Sequence, residues 1–193
     1  MGNMGIEHGR LVLVVGPSGA GKDTLIDYAK ARLRHEPGVR FVRRVITRPA
    51  SVGEDHESMD VDRFQAKVER GAFALHWGAH GLHYGLPNII DDWLAEGNVV
   101  VANGSRGVVP RARQRYARLQ LVHITAARFV LEERLQMRGR EGVRAQQARM
   151  ARSASIDVTL EDALTIDNSA DIGQAGDRFV KVILDAASRA DCR

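Results

Sequence analysis

Leu11-Val12-Leu13-Val14-Val15-Gly16-Pro17-Ser18-Gly19-Ala20-Gly21-Lys22-Asp23-Thr24 decides the fold: an apolar strand feeds a glycine loop that ends in Gly-Lys ahead of a helical pattern. Gly16, Gly19 and Gly21 let the backbone curl so that successive N–H groups point into one concavity. The helix that follows adds the positive end of its dipole. Lys22 can then reach the outer phosphates of a bound nucleotide. A glycine-rich turn alone is an ordinary strand-to-helix connection; here the strand, the spacing of Gly16 to Gly21-Lys22 and the helix agree, and Gly16 to Thr24 reads as a phosphate-binding loop. One place departs from the strict pattern. The Ser or Thr expected straight after the lysine, as a magnesium ligand, is Asp23, and Thr24 follows one place later.

Outward from the loop, strands and helices alternate. Asp23 to Arg34 carries Leu25, Ile26, Ala29 and Leu33 at helical spacing, and Pro37-Gly38 breaks it. Val39 to Thr47 is β-rich, Ala50 to Asp60 reads as loop, and a helix over Asp62 to Glu69 leads to a short strand at Phe73 to Trp77. Gly78 to Pro87 reads as a turn or hairpin carrying Tyr84, and Asn88 to Glu96 as a helix. Asn98 to Ala102 and Leu119 to Ile124 are near-continuous apolar runs, the pattern of parallel strands covered on both faces. Helices are expected over Val108 to Tyr116, Ala126 to Met137 and Arg144 to Ser155, then a strand at Leu164 to Ile166 and a helix over Ile172 to Ala190. The alternation predicts an α/β fold with a parallel sheet and a ligand at the carboxyl ends of its strands.

Composition bounds the function. With 193 residues and 44% hydrophobic content, one domain is the default, and no apolar run is long enough to span a membrane. The N-terminus lacks the apolar stretch of a signal peptide, so a soluble cytoplasmic protein is expected. The single cysteine, Cys192, excludes an intrachain disulfide. The net charge of +4 is uneven, because arginines crowd Arg106 to Arg152. Few aromatics interleave with them, and a phosphate-rich small substrate accounts for the basic face without nucleic acid. Oligomeric state is left open. His76, His80 and His83 lie close in sequence, but in a Gly-rich turn without a supporting Cys or Asp they do not make a metal site.

Arg134 and Arg138 are four apart on one helix and share a face, and Arg140 follows a glycine that can hinge; Arg149 and Arg152 come next. Such a helix is by itself a solvated face. Beside a phosphate loop it suits phosphoryl transfer, which needs mobile cations around the equatorial oxygens of the migrating group.

Together these segments resemble the guanylate kinase family of P-loop nucleoside monophosphate kinases, from Arg10 to about Ala186. The loop Gly16 to Lys22 looks like that family's, and Thr47-Arg48 with Gly53-Glu54 matches its Thr-Arg-x-x-x-x-Gly-Glu spacing. Ala74 to Trp77 and Tyr84-Gly85 are loosely similar to its Phe-x-Glu-Trp and Tyr-Tyr-Gly segments. Arg134-Leu135 with Arg138-Gly139 is similar to its Arg-Leu-x-x-Arg-Gly lid, and Ile166-Asp167-Asn168 to a late strand whose Asn lies near adenine. The resemblance implies a three-layer αβα P-loop NTPase fold in one domain over 1–193. It would have a core at 10–47 and 88–190, an acceptor-binding insertion at about 48–87 and a helical lid at about 134–152.

Departures from the family bear on the substrate. The glutamate and the hydroxyl residue that read the guanine edge are here His76 and Leu86, a second acceptor-site arginine is Ser51, and the loop after Glu54 is shorter. After the central strand, where the family has an acid, stands Asn103-Gly104-Ser105-Arg106-Gly107. Losing guanine readers and gaining a cation suits a small, highly charged sugar phosphate. The resemblance then implies ATP and Mg²⁺, with Gly16, Pro17, Ser18, Gly19, Ala20, Gly21, Lys22, Asp23, Thr24 and Asn168 around the nucleotide. Lys22, Arg134, Arg138, Arg140 and Arg149 would neutralise the migrating group. Arg48, Glu54, Tyr84 and Arg106 would hold the acceptor. Asp23 carries two readings: a Mg²⁺ contact through water, or a helix N-terminal acid favoured by the dipole. A guanylate kinase with relaxed acceptor contacts and an inactive binding module are the alternatives; retention of Lys22, Arg134 and Arg138 counts against the module.

Overall fold

The computed structural model describes residues 8–50, 55–137 and 160–188. Its main sheet holds five parallel strands in the order β2-β7-β1-β8-β9. These are β1 (Arg10–Val15), β2 (Val39–Phe41), β7 (Val99–Asn103), β8 (Leu119–Thr125) and β9 (Leu164–Asp167). β1 lies at the centre, and the chain passes to β2 and β7 on one side before crossing to β8 and β9 on the other. Adjacent to β1, the loops therefore diverge and leave a crevice at the carboxyl edge.

Side-chain alternation sorts the core into two faces. Val12, Val14, Val101, Val122 and Ile124 pack under α1 (Lys22–Arg32) and α6 (Ile172–Ser188), meeting Leu25, Ala29, Phe179 and Ile183. Leu11, Leu13, Val100, Ala102 and Leu121 face the other way, toward Ile90 and Leu94 of α3 (Ile89–Ala95) and Val109 and Ala112 of α4 (Val109–Arg115). The strands are apolar on consecutive positions because both faces are covered. The result is the three-layer αβα arrangement expected from the sequence.

A second sheet has the order β4-β3-β6-β5: β4 (Glu57–Ser58), β3 (Val45–Ile46), β6 (Leu82–Pro87) and β5 (Phe73–Ala79). Its cover is α2 (Val61–Glu69), which starts where the Asp60 side chain accepts from the Arg63 backbone N–H, a cap contributing about 1 kcal/mol. Phe64 of α2 stacks on Phe73 at 4.7 Å. The β5–β6 hairpin turns through His80 (φ 55°) and Gly81 (φ 72°), the left-handed pair of a two-residue hairpin loop.

Two local expectations change. The run Val39 to Thr47 divides between the sheets at Arg43-Arg44, because both side chains are drawn to acids: Arg43 to Asp55 at 2.8 Å and Arg44 to Asp23 at 3.1 Å. Glu57–Ser58, inside a stretch read as loop, pairs with β3; two residues carry no period to detect. Glu54, Arg138, Arg140, Arg149 and the helix expected over Arg144 to Ser155 lie outside the described residues.

Candidate active site

The loop after β1 takes the shape its glycines allow. Gly16, Gly19 and Gly21 have φ of 150°, 86° and 84°. A Cβ on Gly16 would stand 2.0 Å from the Ile124 carbonyl oxygen, and one on Gly21 would stand 2.3 Å from Asn168 Nδ2. Both positions thus need glycine for conformation and for space. Lys22 opens α1 and folds back over the loop, its Nζ donating to the carbonyls of Gly16 and Pro17 at 2.9 Å each. Pro17 and Ser18 are half-buried at the rim, Ala20 is buried, and Thr24 is exposed on the first turn of α1.

Two neighbours grip the loop from outside. Asn168, just past β9 and 3% exposed, donates through Nδ2 to the Ala20 carbonyl at 2.8 Å. Arg134, on α5 (Arg128–Met137), donates to the Asn168 carbonyl at 3.0 Å and reaches the Gly19 carbonyl at 3.5 Å. The structure thus brings together the loop, the first lid arginine and the late-strand Asn singled out from sequence. Asn168 touches the loop backbone itself, and its Oδ1 is buried with no hydrogen-bond partner among the described residues.

Asp23 lies on the first turn of α1, beside the end of β7. Its Oδ1 accepts from Asn103 Nδ2 at 2.6 Å and from Arg44 Nη2 at 3.1 Å. Asn103 is 6% exposed, and its Oδ1 is buried without a hydrogen-bond partner among the described residues. Against the family's pattern the carboxylate has moved: the acid stands just after the loop, where a hydroxyl is expected, and the strand end, where an acid is expected, carries an amide. Neither Asn103 nor Arg44 was singled out as a site residue by sequence, because the contacts join positions 80 and 21 residues apart.

Of the residues expected from the sequence to hold an acceptor, Tyr84 of β6 lies opposite Trp77 of β5, ring planes 5° apart and centroids at 5.4 Å. Arg48 follows β3 and is half-buried; its carbonyl lies 3.4 Å from Nε2 of His56, a wholly buried ring. Arg106 opens a short 3₁₀ turn (Arg106–Val108) in which Ser105 Oγ accepts from the Gly107 N–H. Burial lowers the pKa of its guanidinium, so an anion there meets a partly desolvated cation.

The two positions matching the family's guanine readers cannot read a base in the same way. Leu86 is fully buried and belongs to the core against α3 and α4. Gly85 beside it is fixed by packing, since a Cβ would come within 2.5 Å of the Phe73 ring. Arg111 of α4 donates to the His76 carbonyl at 3.0 Å. Burial, with Arg111 and His83 nearby, lowers the pKa of the His76 ring, so the ring is neutral at physiological pH.

His123 completes the carboxyl edge. It lies near the end of β8, in register with Val15 of β1, and is half-buried. Burial first, then Arg106 and Lys22, lowers its pKa. In the sequence alone it is one residue of an apolar strand.

No protein-family model matches the chain. Among solved structures, a guanylate kinase from Anaplasma phagocytophilum superposes with a TM-score of 0.66 at 17% identity, covering 92% of this chain and 85% of that one. A sugar kinase from a Janibacter species gives 0.53 at 19% identity, covering 96% and 99%. Both likenesses are of fold. Closer in sequence are proteins named ribose 1,5-bisphosphate phosphokinase PhnN. The one from Chelativorans is 46% identical over 188 residues, covering 96% of this chain and 90% of that protein. Those from Azotobacter vinelandii and Burkholderia mallei are 45% and 47% identical, covering 91% and 94% of this chain and 96% and 98% of theirs. An intact phosphate loop, a guanylate kinase fold without that family's base readers, and identity at this level over nearly the whole length make the chain a kinase of the ribose 1,5-bisphosphate phosphokinase PhnN family.

Proposed function

We propose that this protein transfers the γ-phosphoryl group of ATP to the 1-phosphate of ribose 1,5-bisphosphate, giving 5-phosphoribosyl 1-diphosphate and ADP. The observation that carries the choice of acceptor is Leu86: a side chain sealed in the core where a guanylate kinase needs a hydroxyl. A guanine edge would lose its hydrogen bonds there, a penalty of about 1–3 kcal/mol for each polar group left unpaired.

The reaction asks little covalent chemistry of the protein. An oxygen of the acceptor phosphate attacks the γ-phosphorus, the bond from that phosphorus to the β,γ-bridging oxygen breaks, and ADP leaves with the electron pair. A sugar phosphate has its second pKa at about 6 and is already a nucleophilic anion at neutral pH, so no general base is needed. The chain's part is positioning and charge. N–H groups of Gly16 to Lys22 face the donor phosphates, and Lys22 leaves its loop carbonyls for a phosphoryl oxygen. Arg134, already at the loop, joins Arg138, Arg140 and Arg149 around the migrating group. Arg48, Glu54 and Tyr84 of the insertion, with Arg106 of the 3₁₀ turn, hold the acceptor within one domain.

Magnesium suits the pair at the loop. It takes few protein ligands and keeps most of its water. The Asp23 carboxylate, fixed by Asn103, with the unpartnered Asn103 Oδ1 beside it, offers oxygen acceptors to such a hydrated ion. The bound ion would screen the donor phosphates. Asp23 and Asn103 would be its contacts, through water. With ATP as donor, the protein is expected to act in the cytoplasm; no helix among the described residues is long and apolar enough to cross a membrane.

The test is incubation with Mg·ATP and either ribose 1,5-bisphosphate or GMP, followed by phosphorus NMR. A new diphosphate doublet with the sugar alone supports the proposal, turnover of GMP alone refutes it, and silence with both favours a binding module.

A further inference from the structure

We propose that His123 is an acceptor-binding residue: from the end of β8 its imidazole donates to the attacking phosphate, between Lys22 on the donor side and Arg106 on the acceptor side. The proposal rests on the functional reading above and adds a residue to it.

Three placements lead there. First, His123 stands beside Val15, the last residue before the phosphate loop, and one residue short of Ile124, whose carbonyl oxygen underlies Gly16. Second, strand alternation fixes its face. Val122 and Ile124 pack under α1 and α6, whereas Leu121 belongs to the face covered by α3 and α4. His123 shares the face of Leu121, and that is the face on which the Arg106 turn and the acceptor sheet lie. Third, unlike its apolar strand neighbours it is not closed into the core but half-exposed at the carboxyl edge, where a parallel sheet binds its ligands.

Among the described residues, the charges that act on it have one sign. Lys22 comes from α1 and Arg106 from the 3₁₀ turn; its strand neighbours Val15 and Thr165 carry no charge. Among the described residues, no carboxylate contributes to its titration. Without ligand, a proton on the ring is therefore disfavoured. A phosphate seated between Lys22 and Arg106 reverses the sign of the local field. The ring then takes up a proton and donates a charge-assisted hydrogen bond. Acceptor affinity should consequently strengthen as pH falls from the ring's bound-state pKa to its free-state pKa, and change no further through this group below that.

His123→Gln keeps a donor and removes the titration. The expected effect is a rise in KM for ribose 1,5-bisphosphate of about tenfold near pH 6.5, shrinking as pH rises, with a smaller change in kcat. Comparison with the variant also cancels the titration of the sugar phosphate itself.

The direct test is ¹H–¹⁵N NMR of the histidine rings of the full chain. The seven histidines give few signals, and the one lost in His123→Gln identifies the ring; the other six, unchanged, establish that the variant is folded. The ring is titrated alone, with Mg·ADP, and with Mg·ADP plus ribose 1,5-bisphosphate. A pKa that rises only in the third state supports the proposal. A rise complete with Mg·ADP assigns the ring to the donor side and overturns it, as does bisphosphate binding that shifts other histidines and leaves this pKa where it was. Should the bisphosphate not bind, the functional reading fails, and inorganic phosphate with Mg·ADP replaces it: a rise keeps His123 as a phosphate ligand, and no rise ends the proposal.

Discussion

Asp23→Asn separates two jobs that one carboxylate can hold. The asparagine keeps an oxygen for Asn103 Nδ2 but removes the charge that faces Arg44 at 3.1 Å. The two side chains are 35% and 15% exposed, so solvent screens the pair only in part. A charge-assisted hydrogen bond contributes about 1.5–3 kcal/mol when sheltered, and partial exposure trims this to about 1–2 kcal/mol. For a chain of this length, each kcal/mol moves Tm by about 2–4 °C, so a fall of roughly 2–8 °C is expected by calorimetry without ligands. That part follows from the ion pair alone. The metal role predicts something further. With Mn²⁺ in place of Mg²⁺, electron paramagnetic resonance titration of the ADP complex should show metal affinity reduced about tenfold, while ADP without metal binds as before or better, because a repelling charge has gone. Unchanged Mn²⁺ affinity alongside the lowered Tm would refute the metal role and leave Asp23 as the anchor for Arg44. An unchanged Tm would refute the ion pair as a source of stability.

Lys22→Ala should lower kcat about a thousandfold or more in the phosphorus NMR assay with little change in Tm, since the removed bonds are to loop carbonyls that solvent can reach. Gly16→Ala should abolish nucleotide binding in a fluorescent-ADP titration, because its Cβ would collide with a backbone oxygen at 2.0 Å that no side-chain rotation can clear. Asn168→Ala strips Nδ2 from the Ala20 carbonyl and should cost about 1–3 kcal/mol by urea unfolding, with weaker nucleotide binding as the loop loosens. Asp55 tests pH linkage. The Lys30 hydrogen bond, with Arg43, holds its carboxyl below the usual value, so its stabilisation is present above the unfolded value of about 4 and is lost as pH falls through the lower folded one. Asp55→Asn should therefore be less stable than the native chain near pH 7, by no more than about 1 kcal/mol for so exposed a group, and the difference should vanish in acid.

What the sequence made legible is what is local. β1, the loop and α1 form one continuous stretch in which strand, glycines and lysine constrain one another, and the observed φ values follow from which residues are glycine. The two-faced core was legible for a similar reason, since parallel strands covered on both sides read as unbroken apolar runs. What stayed hidden is what distance in sequence conceals. Asn103 meets Asp23 only because β7 lies beside β1, and Arg44 only because the chain breaks between two sheets. His123 is hidden differently: its neighbours on the strand are core residues, and a position at the carboxyl end differs from one at mid-strand only once the strand has an end.

The placement of an acid at position 23 and an amide at position 103 also bears on how one fold changes its acceptor. A phosphate loop followed by a strand-end acid places a negative charge on the acceptor side of the donor phosphates, tolerable when that side holds a nucleotide with one phosphate. A sugar bisphosphate brings about twice that charge to the same crevice. Moving the carboxylate onto the loop side, where Arg44 and the start of α1 balance it, leaves the strand end to a neutral amide and to Arg106. The acid at position 23 and the amide at position 103 are then two halves of one electrostatic change. Restoring either alone should fail where restoring both can succeed: Asn103→Asp with Asp23→Ser should recover metal binding that Asp23→Ser loses, yet weaken ribose 1,5-bisphosphate more than it weakens Mg·ADP. If the double variant binds the bisphosphate as tightly as the native chain, the acid's position is indifferent to the acceptor, and the charge-placement reasoning is wrong.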